Sequence, residues 1–197
     1  MMSKVISKLI PVQFETYDEL ALTACNCVKC ELHITRKNVV FSSGPENAKV
    51  FIIGEAPGAE EDETSVPFIG RSGKLMNTLL AEVGISRDDC YVTSVLKCRP
   101  PENRNPKSGE IALCSPYLME QIRFVQPKVI ITVGNFSARF ILNTKEGIMT
   151  LRGQQHKVGN SIVVPTVHPA YVLRNGARGK AEMLEDLQKV KNILDES

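Results

Sequence analysis

Short apolar runs alternate along the chain with segments of helical periodicity. Val50–Ile53 is a continuous apolar run followed by Gly54, as expected of a buried parallel strand, and Val129–Val133, apolar except at Thr132, is followed by Gly134. Ser72–Val83 instead places its apolar residues at helical spacing, and Gly84 provides a stop signal. The pattern predicts strands at 50–53, 91–96, 129–133 and 162–164, and helices at 72–83, 108–124, 137–142 and 180–194.

This alternation predicts an α/β fold, a three-layer αβα sandwich around a central four-stranded parallel sheet. At 197 residues, with 43% hydrophobic and 23% charged residues, the chain can bury a full core. It contains no internal repeat, low-complexity tract or clear linker. We therefore expect one domain over residues 1–197.

The composition excludes some classes of protein. No apolar run is long enough to span a membrane. Residues 1–12 include Lys4 and Lys8 but no clear apolar h-region or cleavage site, so we predict no signal peptide and a cytoplasmic location. The net charge of +2 is too small to indicate a nucleic-acid partner by itself.

Four cysteines form the most distinctive pattern. Cys27 and Cys30 form a CxxC pair, and Cys98 and Cys114 lie far along the chain. In a reducing cytoplasm a CxxC pair indicates metal or redox chemistry more often than a disulfide. Four thiolates are typical of an iron–sulfur cluster or a closed zinc site, and either would attach the N-terminal segment to the rest of the fold.

Polar residues follow the predicted strands. Glu55 follows the first strand, Ser94 lies at the end of the second, and His168 follows the fourth. In open parallel sheets, ligands bind beyond the carboxyl ends of the strands. We therefore expect one cleft to collect Glu55, Ser94 and His168.

Four sequence strings resemble the family 4 uracil-DNA glycosylases, the iron–sulfur branch of their superfamily. They are GEAPG at 54–58, PFIGR at 67–71, KCRPP at 97–101 and HPAY at 168–171. The resemblance runs from about Cys27 to the C-terminal helix. It implies a uracil-DNA glycosylase-like fold and a DNA-repair enzyme that hydrolyses the N-glycosidic bond of uracil in DNA, leaving an abasic site. It also implies uracil-containing DNA, single- or double-stranded, as the partner of a monomer.

The resemblance assigns the metal ligands. It implies a [4Fe–4S] cluster held by Cys27, Cys30, Cys98 and Cys114, with zinc on the same thiolates as the alternative. Cys25 and Cys90 have no counterpart in that set.

The resemblance also assigns the residues that act on the base. It implies that His168 donates a hydrogen bond to the uracil O2 as negative charge develops there, and that Phe68 stacks on the flipped base. Glu55 is expected to position the attacking water or to stabilise the sugar cation, because Ala56 stands where the best-known branch has an aspartate. The substrate-binding set is completed by Gly54, Ala56, Gly58, Glu61 and Ser94.

Ser94 departs from the family pattern, which usually has asparagine there. A hydroxyl is shorter than an amide and offers one group where the amide offers a donor and an acceptor. An enzyme of the same superfamily with altered or broader base choice is therefore an alternative.

Basic residues are expected around the cleft, where they would neutralise phosphates. Their clustering in the loops around the cleft predicts DNA contacts by Arg71, Arg99, Arg104 and Arg174, and the resemblance implies insertion of Val172 or Leu173 into the stacked bases. The wider basic cluster also includes Lys74, Lys97, Arg178 and Lys180.

Two functions of other classes remain open. One is a non-catalytic iron–sulfur or zinc module that binds nucleic acid, although a binding module needs neither His168 nor Glu55. The other is an electron-transfer protein, although one CxxC with two remote cysteines is unlike the dense cysteine runs of ferredoxins.

Overall fold

The computed structural model describes residues 14–196, and within that range the centre of the molecule is a five-stranded sheet. The strands are β1 (Val50–Gly54), β2 (Cys90–Ser94), β3 (Val129–Val133), β4 (His156–Val158) and β5 (Ser161–Thr166). Their order across the sheet is β2-β1-β3-β5-β4. β2, β1, β3 and β5 are parallel, and β4 pairs antiparallel with β5 at the edge.

The predicted α/β class and the four parallel strands are confirmed, whereas β4 was not predicted. β4 has only three residues and joins β5 through a two-residue turn in which Gly159 has a φ of 60°. Glycine adopts this left-handed conformation without steric cost, so the turn forms a tight hairpin. A strand this short gives too little alternation to be recognised in the sequence.

Helices cover both faces of the sheet. In chain order they are α1 (Tyr17–Cys25), α2 (Leu32–Thr35), α3 (Ala59–Thr64), α4 (Arg71–Glu82), α5 (Ser108–Val125), α6 (Asn135–Leu142), α7 (Ile148–Leu151) and α8 (Pro169–Asp195). The last helix begins at Pro169, well before the predicted start at Lys180. It is interrupted at Gly176, where φ is 56° and ψ is −131°.

Alternate residues of the strands pack into two hydrophobic clusters. Ile52 of β1 packs with α4 and α8, while its neighbours Phe51 and Ile53 pack with α5 and α6. Because both faces are covered, the four parallel strands are buried at nearly every position and are mostly apolar, which explains the apolar runs in the sequence. The carboxyl ends of the parallel strands open onto one edge of this three-layer structure.

No helix within residues 14–196 combines the length and apolar character needed to cross a lipid bilayer. The prediction about a signal peptide concerns residues 1–12, which lie outside the described range.

Candidate active site

The carboxyl edge of the sheet opens into a large cleft, walled by the loops after β1, β2, β3 and β5 and by the start of α4. Glu55, Phe68, Ser94 and His168 all line it. The cleft has a volume of about 830 Å³, within the range of pockets that hold a small molecule. The structure thus brings Glu55, Ser94 and His168 to one cleft, as expected from strand order.

Two glycines determine where the Phe68 side chain lies. A Cβ added to Gly54 would be 2.7 Å from Phe68 Cε2 and 3.0 Å from Ser94 Oγ, so only glycine lets the ring and the hydroxyl approach this point together. A Cβ added to Gly73 would be 2.0 Å from the Phe68 carbonyl oxygen. Phe68 itself has a φ of 61°, a conformation that this close packing holds in place.

The Glu61 carboxylate joins the two motif loops. It accepts hydrogen bonds from the backbone N–H groups of Gly58 (3.1 Å), Ile69 (3.1 Å) and Gly70 (2.9 Å). Glu61 also lines the cleft, but its two oxygens already have backbone donors. The geometry supports a positioning role for Glu61 rather than direct contact with a substrate.

We expect Glu61→Ala to lower the free energy of unfolding by roughly 2–3 kcal/mol, because three backbone donors lose a charged acceptor. Urea unfolding measures this change. Glu60→Ala is the matched control, since the exposed Glu60 makes only a 3.4 Å contact with Lys74 and should change stability by less than about 0.5 kcal/mol. Equal stability of both variants would contradict the positioning role.

Glu55 presents a free carboxylate to the cleft. Its backbone carbonyl accepts from Leu96 N at 3.0 Å and extends the β1–β2 pairing. Within residues 14–196, no hydrogen bond or ion pair engages its side chain. Burial raises the pKa of the Glu55 carboxyl. The carboxylate is therefore available to a water molecule or to a developing positive charge.

His168 is oriented by the start of α8. Its Nδ1 accepts a hydrogen bond from Ala170 N at 3.1 Å. An acceptor at Nδ1 assigns the ring proton to Nε2, which is then a donor. Burial, followed by the charge of Arg174, lowers the pKa of His168 and favours the neutral ring. Gly134, with a φ of 88°, packs beside it, and a Cβ there would be 3.3 Å from His168 Cβ.

Ser94 ends β2 inside the cleft and is 4% exposed. Its carbonyl oxygen accepts a hydrogen bond from Lys97 Nζ at 2.6 Å. Lys97 was predicted to belong to the basic cluster at the cleft, and this is wrong: it is 2% exposed and lines a separate cavity.

The predicted DNA-contacting arginines differ in their surroundings. Arg71, at the first residue of α4, and Arg174, in α8, are exposed on the cleft wall. Arg104 also lines the cleft, but it donates two hydrogen bonds to Glu110, at 3.0 and 2.6 Å, so its charge is compensated. Arg99 lies off the cleft wall and donates to Asn103 Oδ1 at 2.8 Å.

The prediction that Val172 can insert into the stacked bases is wrong, because this side chain is buried. Val172 is 4% exposed and belongs to the core cluster beneath α8, because the inner face of this helix packs on the sheet. Leu173, the next residue around the helix, is 39% exposed. Of the two, only Leu173 is placed to meet a ligand.

The third strand also contributes residues to the cleft, and these were not predicted. Gly134, Asn135 and Phe136 follow β3 and line the cleft beside His168. The same carboxyl-end rule, applied to β3, would have identified them.

A second, much smaller cavity, of about 20 Å³, is lined by the four predicted cysteine ligands Cys27, Cys30, Cys98 and Cys114. Arg36 Nη1 donates to Cys98 Sγ at 3.2 Å, and the Lys97 backbone N–H donates to Cys114 Sγ at 3.3 Å. Cys25 and Cys90 lie outside the cavity wall, and Cys90 is fully buried in the core.

The pKa values of groups around this cavity are shifted by burial and by neighbouring groups. The pKa of Cys114 is raised to about 11, chiefly by burial; Lys97 lowers it in part, and Cys98 and Cys27 add to the rise. The pKa of Lys97 is lowered to about 7, chiefly by burial, although Cys114 and Cys98 oppose that shift. Among residues 14–196, no three histidine, cysteine, aspartate or glutamate side chains are grouped so as to hold a metal ion.

Comparison with known proteins defines the class first. The model of the Uracil DNA glycosylase superfamily matches residues 41–191. This range includes the loops after β1, β2, β3 and β5 that wall the cleft, and the start of α8. The chain therefore belongs to this superfamily and has its α/β fold.

Individual relatives define the branch. The chain is 41% identical over 171 residues to a type-4 uracil-DNA glycosylase of Thermotoga maritima, covering 85% of this chain and 89% of the relative. It is 42% identical over 189 residues to a type-4 enzyme of Saccharolobus solfataricus, covering 91% and 87%. A type-5 enzyme of Pyrobaculum aerophilum is 26% identical over 205 residues, covering 87% and 90%. The chain belongs to the type-4 uracil-DNA glycosylases, and the family resemblance of its motifs is confirmed.

Proposed function

We propose that the protein is a uracil-DNA glycosylase that hydrolyses the bond between uracil and deoxyribose in DNA. The observation that carries this proposal is the convergence of Phe68, Ser94, Glu55 and His168 on one cleft in a chain of this family. A phenyl ring, a hydroxyl, a free carboxylate and a neutral imidazole are the groups needed to hold a pyrimidine and cleave its glycosidic bond.

Recognition begins when the base leaves the DNA stack, at a cost of a few kcal/mol. The Phe68 ring offers a stacking surface for the extruded pyrimidine, and Ser94 Oγ lies beside it to bond the edge of the base. Gly54 lets both groups approach the same point, as the short distances from an added Cβ indicate.

His168 supports departure of the base. When the C1′–N1 bond breaks, its electron pair moves onto the uracil ring and negative charge accumulates at O2. The Nε2–H of the neutral imidazole donates to this oxygen, while Ala170 N fixes the ring through Nδ1.

Glu55 acts on the sugar and on the attacking water. As the base leaves, positive charge develops on the sugar, and the Glu55 carboxylate stabilises it and orients a water molecule. The water oxygen then bonds to C1′, and the proton it releases passes to Glu55 or to the departing uracil anion. An abasic site and free uracil result.

Arg71 and Arg174 are the cations that meet phosphates in this proposal, because both are exposed on the cleft wall. Leu173 is the side chain that fills the space left by the extruded base. Arg104 contributes less to binding, since Glu110 already compensates its charge. Affinity for DNA then falls as the salt concentration rises.

We infer that Cys27, Cys30, Cys98 and Cys114 would hold a [4Fe–4S] cluster, because the four thiols line one cavity and four thiolates are the usual ligands of such a cluster. Zinc on the same four thiolates is the alternative. When bound, the cluster would cross-link the α1–α2 segment to the loop after β2 and to α5.

The proposed activity is tested with duplexes that contain uracil, hypoxanthine or a thymine mismatch, followed by alkaline cleavage of abasic sites. Strand cleavage on uracil duplexes is the expected result, and none on uracil would defeat the proposal. The short Ser94 hydroxyl favours a second candidate, a glycosylase with broader base choice. Comparable cleavage of hypoxanthine or thymine mismatches would establish it.

A further inference from the structure

Lys97 lies between the cysteine cavity and the base site. Its side chain forms part of the cysteine cavity wall and is among the largest fully buried side chains. Its Nζ donates to Thr93 Oγ1 and to the Ser94 carbonyl oxygen, both at 2.6 Å. One ammonium group thus contacts the end of the strand that carries Ser94 into the cleft.

The surroundings of this ammonium contain thiols rather than carboxylates. Within residues 14–196, no aspartate or glutamate forms an ion pair with Lys97. The cavity wall that includes the Lys97 side chain also includes Cys98 and Cys114, and Cys114 Sγ accepts a hydrogen bond from the Lys97 backbone N–H at 3.3 Å. As ligands of the proposed cluster these sulfurs are thiolates, and a buried ammonium is costly unless such anions lie beside it.

The thiolate site, in turn, needs a positive neighbour. Four thiolates carry more negative charge than a [4Fe–4S] core carries positive charge. Arg36 supplies one cation at Cys98 Sγ, but it is partly exposed to solvent. Lys97 is the cation shielded from water, where a charge interacts more strongly.

The backbone of Lys97 is also fixed on both sides. Its N–H donates to Cys114 Sγ at 3.3 Å, and its carbonyl accepts from Val40 N at 2.8 Å. Thr93 Oγ1 in turn donates to the Phe41 carbonyl at 2.7 Å. The end of β2 is therefore held from the cysteine side by a continuous set of hydrogen bonds.

We propose that Lys97 is a positioning residue that compensates the charge of the four-thiolate site and holds the Ser94 end of β2 in place to receive the base. This inference rests on the proposed glycosylase activity and cluster. The cysteine site then influences base recognition through Lys97, in addition to cross-linking distant segments of the chain.

The proposed charge compensation by Lys97 is tested in the purified holoprotein with Lys97→Met. This substitution keeps an apolar side chain and removes the ammonium. Iron and sulfide per chain and the midpoint potential of the cluster are measured for the variant and the wild type. We expect the potential to shift to more negative values, because an added electron loses a nearby positive charge. Lys29→Met is the matched control: Lys29 lines the same cavity but is exposed, so its removal should leave the potential unchanged.

The link to the base site is tested by kinetics. We expect Lys97→Met to lower kcat/KM for a uracil duplex by roughly tenfold or more, as for a lost charged hydrogen bond, while Kd for a uracil-free duplex stays within about twofold. Thr93→Val keeps the charge and removes one partner of the ammonium. It should lower kcat/KM in the same direction and leave the cluster potential at the wild-type value.

Several results would overturn the inference. One is a cluster-bearing Lys97→Met variant with the wild-type potential and the wild-type kcat/KM. If Lys97→Met yields no soluble holoprotein, wild-type kinetics of Thr93→Val would overturn it instead. A wild-type protein that removes uracil but contains no cluster would overturn both this inference and the cofactor proposal, leaving the glycosylase activity intact.

Discussion

Replacing His168 with alanine is expected to lower kcat for uracil removal by roughly 10²–10³, the usual cost of removing one preorganised donor to a developing anion. The donor is the Nε2–H, which the bond from Ala170 N to Nδ1 orients. Single-turnover cleavage of a uracil duplex measures the change. Affinity for DNA should remain near the wild-type value, because the phosphate-contacting arginines are unaffected.

His156→Ala provides the matched control for this prediction. His156 lies on the edge strand β4, outside the cleft wall, so its removal should leave kcat close to the wild-type value. Full activity of His168→Ala would remove His168 from the mechanism.

Replacing Cys98 with alanine is expected to abolish the iron content and to lower the Tm by about 10 °C or more. The reason is that a metal site that cross-links distant segments contributes folding energy directly. Iron analysis, visible absorption and thermal unfolding measure the loss.

Cys25→Ala tests whether the effect is specific to the cavity. Cys25 lies in the same N-terminal segment but is exposed and outside the cavity wall. It should retain the iron and the wild-type Tm. Iron at the wild-type level in Cys98→Ala would contradict the ligand assignment, and zinc in place of iron would support the alternative metal.

The parallel part of the fold was predictable because its signals are local. The run Val129–Val133 is apolar except at Thr132, and the structure places a strand over the same residues. The boundaries of Ser108–Val125 were also close to prediction, despite Pro116 inside the helix. The start of α8 was missed because Gly176 interrupts the helical pattern, while its buried residues continue on both sides.

The cleft was predictable to the extent that strand order determines it. Glu55, Ser94 and His168 follow different parallel strands, so a single rule brought them together. Whether a given side chain in the cleft is buried, paired or free depends on packing between residues distant in sequence, which the sequence alone does not show. Arg104 illustrates this point, since its pairing with Glu110 arises only when the loop folds back on α5.

Burial of neighbouring residues also escaped prediction. Val172 and Leu173 are adjacent and both apolar, but one faces the core and the other faces outward. The burial of Lys97 was even harder to predict, because the string KCRPP at 97–101 suggests a surface loop. Only the folded structure shows that its ammonium bonds the Thr93 hydroxyl and the Ser94 carbonyl beside the cysteine cavity.

The convergence of Phe68, Ser94 and Glu55 on an extruded base can be observed in a crystal structure of the His168→Ala holoprotein bound to a duplex with one uracil. We expect the uracil to lie outside the stack, with its ring against Phe68 and its polar edge toward Ser94. A uracil that remains paired, or that occupies a site away from Phe68 and Glu55, would contradict it.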